Sequence, residues 1–154
     1  LQADPNQPDA LHYLGVIAFQ TRNNEKAVEL ITKALALNPD YAEAHCNLGL
    51  VFDGLGKLDD AVSKFQEALG LNPDYPEAHN NLGMTFWKLG KFEAAVDSCQ
   101  KAISLRPDLA EAHNNLGVAF QAKGNTDEAV ICYQKAIEQK PDYADAHYNL
   151  GKVL

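Results

Sequence analysis

The chain has 154 residues, 46% hydrophobic and 22% charged, a balance that supplies material for a continuous core and excludes a disordered polyelectrolyte. A formal net charge of -8 and a pI near 5.0 exclude nucleic acid as the main partner, because phosphate binding runs on clustered Lys and Arg that release counterions. The longest apolar stretches, such as residues 14–19, fall far short of the ~20 residues that insert into a membrane, and Cys46, Cys99 and Cys132 lack CxxC spacing, so they read as buried reduced thiols rather than a disulfide framework or zinc site.

A 34-residue period organises everything else: Leu14-Gly15, Leu48-Gly49, Leu82-Gly83, Leu116-Gly117 and Leu150-Gly151 recur at that interval, with Ala27, Ala61, Ala95 and Ala129 and with Pro5, Pro39, Pro73, Pro107 and Pro141 on the same beat. The period predicts a single array over residues 1–154: residues 1–7 as the end of a preceding repeat, then repeats at 8–41, 42–75, 76–109 and 110–143. Residues 144–154 form the first helix of a further repeat or a capping helix. Both ends cut through a repeat, which predicts a piece of a longer array. Residues 1–7 carry neither the basic nor the apolar part of a secretory leader, and a cytoplasmic setting is the favoured one.

In chain order, each repeat reads as two helices. Residues 42–55 and 59–71 show apolar groups at helical spacing, and Gly56, Gly90 and Gly124 stand between the pairs, where a left-handed residue ends a helix at no Cβ cost. The first repeat has no glycine there, so Asn23 or Asn24 is expected to take the left-handed conformation. Proline closes each second helix. Asp40 with Glu43, Asp74 with Glu77 and Asp108 with Glu111 have the spacing of a reciprocal cap. The small columns, Gly49 and Ala61 among them, let backbones approach.

One repeat reads His45, Leu48, Gly49, Phe52, Ala61, Phe65, Pro73, and the next two follow it column by column. That order resembles the tetratricopeptide repeat signature W-x2-L-G-x2-Y, A-x3-F and P, with histidine in the tryptophan column and the first repeat least regular. The His-x-Asn-Leu-Gly run is similar to the repeats of O-linked N-acetylglucosamine transferases and related bacterial proteins. The resemblance implies an all-α, right-handed superhelical solenoid of antiparallel helix pairs whose first helices line a concave groove. It also implies a scaffold that binds a protein or an extended peptide and is not an enzyme, or else the substrate-recruiting arm of a larger glycosyltransferase-like protein.

The candidate site residues follow from the columns. Asn47, Asn81, Asn115 and Asn149 precede each Leu-Gly pair, and a carboxamide can pair with both N–H and C=O of a peptide; the alternative is that they hold neighbouring first helices in register. Asn80 and Asn114 lie beside them, followed by Met84 and Val118 and then Trp87, Lys88 and Gln121. Trp87 is a natural anchor or an ordinary packing residue. The histidine column, His45, His79, His113 and His147, is spaced too widely for one metal ion and is assigned to packing, while His12, one position out of register, is expected to be exposed. Asp9, Glu43, Glu77, Glu111 and Asp145 complement helix starts. Only Lys88 and Lys152 could form a carboxylate clamp of the chaperone-tail type, which disfavours that ligand. No catalytic, cofactor or metal constellation stands out, and Tyr148, Leu150, Val153 and Leu154 form a patch through which end repeats could self-associate.

Overall fold

The computed structural model describes residues 7–154, so the reading of residues 1–7 as the end of a repeat falls, Gln7 apart, outside the described residues. Helices follow one another as α1 (Pro8–Gln20), α2 (Asn24–Leu37), α3 (Ala42–Gly54), α4 (Leu58–Leu71), α5 (Pro76–Lys88), α6 (Phe92–Leu105), α7 (Ala110–Ala122), α8 (Thr126–Gln139) and α9 (Ala144–Val153). Among the described residues there is no strand. The fold is an all-α repeat array of paired helices, and it divides into two compact units, one ending at Pro73 and the other running from Asp74 to Leu154.

Within each unit a short turn folds a first helix back on a second, giving the pairs α1/α2 and α3/α4, then α5/α6 and α7/α8, with α9 against α8 and α7. The small columns explain the closeness of each pair. A Cβ on Gly15 would stand 2.5 Å from Ile31, on Gly49 2.7 Å from Phe65, on Gly83 2.6 Å from Cys99 Sγ and on Gly117 2.6 Å from Tyr133, so the second-helix side chain occupies the space that glycine leaves. Ala27, Ala61, Ala95 and Ala129, with Ala34, Ala68, Ala102 and Ala136, are fully buried. Cys46, Cys99 and Cys132 are buried and in no disulfide, as the sequence predicts, and burial pushes the Cys99 thiol up to about 12 and the Cys132 thiol to about 11.

The turns follow the glycine rule in three repeats and correct it in the first. Gly56, Gly90 and Gly124 have φ of +74°, +74° and +83°. In the first repeat it is Arg22, not Asn23 or Asn24, that is left-handed, with φ +61°. Register decides this: Arg22 occupies the Gly56 column, where the next amide must reach back into the helix. Asn23 N–H donates to Ala18 O at 2.8 Å as Lys57 N–H donates to Phe52 O at 2.9 Å. Asn23 is meanwhile committed to the N-cap of α2, its side chain accepting from the Lys26 amide.

The reciprocal-cap expectation also fails. The N-caps of α3, α5, α7 and α9 are Tyr41, Tyr75, Leu109 and Tyr143, one residue after the aspartates, and none makes a side-chain cap hydrogen bond. The aspartate after each proline is spent in the turn, and the acids Glu43, Glu77, Glu111 and Asp145 lie inside the first helical turn, where they oppose the positive end of the helix dipole.

Candidate functional site

The regular spacing of the histidine column has a local purpose. His45 Nε2 donates to Pro39 O at 2.8 Å, His113 Nε2 to Pro107 O at 2.7 Å and His147 Nε2 to Pro141 O at 2.7 Å. A carbonyl can only accept, so each of these rings carries a proton on Nε2, and His45 Nδ1 lies 3.1 Å from Glu67 Oε2. Each histidine thereby ties its helix to the proline turn six residues upstream, satisfying a carbonyl that proline's break in the helix leaves without a helical donor.

The asparagine column forms cross-helix hydrogen bonds at an interval of 35 residues. In the second unit Asn115 Nδ2 donates to Asn80 Oδ1 and Asn149 Nδ2 to Asn114 Oδ1, both at 3.0 Å, and in the first unit Asn47 Nδ2 lies 2.8 Å from His12 Nε2. Asn80 and Asn114 are buried, whereas Asn47, Asn115 and Asn149 are half-exposed. The register reading of this column thus has direct contacts behind it. Each bond uses one of the two N–H donors of the half-exposed amide and fixes its plane.

His12 corrects an expectation. It is fully buried rather than exposed, with Nδ1 2.9 Å from the Tyr41 hydroxyl and its ring edge-on to the Tyr41 ring. It stands in the same 34-residue column as Asn80 and Asn114, the buried side of the cross-helix contact in the second unit, which explains the burial.

In the second unit α5, α7 and α9 enclose a cleft of about 640 Å³. Met84 and Trp87 come from α5, Asn114, Asn115, Val118, Gln121 and Ala122 from α7, and Asp145, Tyr148, Asn149 and Lys152 from α9, with Tyr143 at the start of α9. Seven of the sequence-derived residues therefore share one cavity: Met84, Trp87, Asn114, Asn115, Val118, Gln121 and Asn149. Asn47, Asn80, Asn81 and Lys88 do not line it. Gln121 is held by the buried Tyr133, whose hydroxyl donates to Oε1 at 2.7 Å, and the Lys152 ammonium stands over the Tyr148 ring at 5.4 Å.

Sequence reasoning placed Tyr148 in an end patch and missed Tyr143 and Ala122. The signal was available for the α9 residues, since Lys152 shares the Met84 and Val118 column and Tyr148 the Asn114 column. Of the self-association patch, Tyr148 and Leu154 are exposed, at 67% and 86%, and Leu150 and Val153 are half-buried.

The acid column meets the tyrosine caps. Burial first, then Asp9 and Glu43, push the Tyr41 phenol up to about 12, and burial, then Glu111 and Asp145, raise Tyr143. Where Leu109 replaces the tyrosine, Glu77 pairs instead with Arg106 at 2.6 Å.

Comparison with known proteins decides the family. Models described as tetratricopeptide repeat match residues 1–42, 14–76, 46–110 and 98–131, and one described as TPR repeat matches 120–154. The chain belongs to the tetratricopeptide repeat family. As such an array it is 40% identical over 57 residues to the UDP-N-acetylglucosamine–peptide N-acetylglucosaminyltransferase of Caenorhabditis elegans, a match that spans 37% of this chain and 5% of that protein's length. The crystal structure of MamA superposes with a TM-score of 0.82 at 31% identity, covering 94% of this chain and 84% of the other. YrrB, described as a TPR protein with an unusual peptide-binding site, superposes with a TM-score of 0.78 at 25% identity over 97% of this chain and 77% of its own. Among the described residues no helix is long and apolar enough to cross a membrane.

Proposed function

We propose that this tetratricopeptide repeat array is a protein-interaction scaffold that takes an extended peptide, or an extended segment of a partner protein, along the face formed by α5, α7 and α9. The observation that carries the reading is the pairing of Asn115 and Asn149 with Asn80 and Asn114 at the edge of a cleft lined by Met84, Trp87 and Val118. Amides already fixed by one hydrogen bond lose little further freedom on binding, and preorganisation of this kind raises affinity. Their remaining donor and acceptor can pair with a peptide main chain without reading its side chains, while the apolar lining supplies burial. The lining is made of amides, hydrocarbon, aromatic rings and two opposite charges, which suits binding and offers no nucleophile and base pair, so we assign the array no catalysis of its own.

Panning a random peptide library against the purified chain tests this. Recovered peptides should lose roughly 5- to 150-fold in affinity in the Asn115→Ala, Asn149→Ala double variant, the equivalent of two hydrogen bonds at ~0.5–1.5 kcal/mol each. An unchanged affinity in a variant with an unchanged helical spectrum would defeat the proposal.

A second reading rests on the identity to the Caenorhabditis elegans transferase: the array would recruit protein substrates to a glycosyltransferase domain elsewhere in a longer chain. The sequence of the gene surrounding these residues tests it, and an open reading frame without such a domain rules it out.

A further inference from the structure

The buried network around His12 joins α1 to α3 through Tyr41 and Asn47. Asn47 reaches His12 Nε2 through Nδ2, an atom that can only donate. Nε2 must then be the unprotonated nitrogen, and the ring's proton sits on Nδ1, facing the Tyr41 hydroxyl at 2.9 Å. His12 is thus the opposite tautomer from His113 and His147, whose Nε2 atoms face carbonyls. The position that His12 fills is held by asparagine at Asn80 and Asn114, where the acceptor for the next helix is an amide oxygen that does not titrate.

We propose that His12 is a proton-controlled latch on the first asparagine of the column: neutral, it accepts from Asn47; protonated, it becomes a donor on Nε2 and forces the Asn47 carboxamide to turn over. The proton enters at Nε2 alone, since Nδ1 already carries one, so the Tyr41 bond survives and the change is confined to the α1–α3 contact. Turning the amide brings Oδ1 to the new Nε2–H and moves Nδ2 to the place Oδ1 held. The donor and acceptor that Asn47 offers to its other surroundings therefore change places.

The groups facing His12 set the balance. On α1 itself Asp9 lies nearby and the Tyr13 ring stands 5.6 Å away. Tyr41 and Glu43 face it from the start of α3, and α2 turns Ala27, Ile31 and Ala34 inward. Burial disfavours the charged ring and outweighs the attraction of Glu43 and Asp9, so His12 binds its proton below the ordinary histidine range.

The test is nitrogen-15 spectroscopy of the intact chain. At pH 7.5 the imidazole signals should report an Nδ1–H tautomer for His12 and Nε2–H for His113 and His147. On acidification the Asn47 side-chain amide signals should move with the His12 midpoint. In His12→Asn, which installs the acceptor found at Asn80 and Asn114, the Asn47 signals should not respond between pH 7.5 and 5. An Nε2–H tautomer for His12, an Asn47 amide that stays still while His12 titrates, or the same response in His12→Asn would each overturn the latch. The first two readouts need only the wild-type chain and decide the matter if the variant does not fold.

Discussion

Arg22→Gly should stabilise the chain although it deletes a charged side chain and adds backbone freedom. Arg22 holds φ +61° in the column where the other turns have Gly56, Gly90 and Gly124. A left-handed L-residue costs roughly 1–2 kcal/mol, and glycine removes that cost while returning ~0.4–1 kcal/mol of unfolded-state entropy. The net gain is about 0.5–1 kcal/mol. Nothing else should change, because Arg22 is exposed and the bonds that close the turn, Arg22 N–H to Phe19 O and Asn23 N–H to Ala18 O, belong to the backbone. At ~2–4 °C per kcal/mol for a chain of this size, the thermal midpoint should rise by about 1–4 °C. Repeat arrays need not melt as one unit, so amide exchange in α1 and α2 should slow in parallel, locating the gain in the first repeat. Gly90→Ala is the mirror control and should lose about 1 kcal/mol. A lower midpoint for Arg22→Gly, or faster exchange in α1, would refute the strain argument.

Gly117→Ala should cost ~1–3 kcal/mol by overpacking, since its Cβ would stand 2.6 Å from the Tyr133 ring; urea titration measures it, and Gly151→Ala, with no atom within 4 Å of the new Cβ, should be close to neutral. Cys99 and Cys132, with thiols pushed to about 12 and 11, should resist an aromatic disulfide reagent at pH 8 and react at once in denaturant. His12 has a lowered proton affinity when folded, so the unfolded chain binds that proton more readily. Its contribution to stability is complete above pH ~6.5 and falls away below, by at most about 1.4 kcal/mol per pH unit; chemical denaturation of wild type against His12→Asn across pH 5–7.5 isolates it.

The glycine, alanine and proline columns were readable because each answers to a local demand, positive φ or close approach, that few residue types meet. Two local readings failed because position in the repeat outranks composition. Asp40 has the right distance to Glu43 for a cap, yet the proline turn sets the N-cap at Tyr41, and Arg22 is left-handed because of where it sits. The site was harder to read for a geometric reason. Aligning the chain at 34 residues groups equivalent positions, but the side chains that touch, Asn47 with His12 or Asn115 with Asn80, are 35 apart. A column shows what recurs and hides what meets. His12 looked out of register for that reason, and Tyr148 was assigned to a chain end when its column already belonged to the cleft.

Trp87 is the only tryptophan in the chain and it lines the cleft, so its fluorescence reports on the proposed groove directly. Titrating the chain with a peptide recovered from the library should shift Trp87 emission saturably, with the same midpoint as calorimetric binding and with the weakened midpoint in Asn115→Ala, Asn149→Ala. Calorimetric saturation with Trp87 emission unmoved would place the peptide elsewhere and contradict the account.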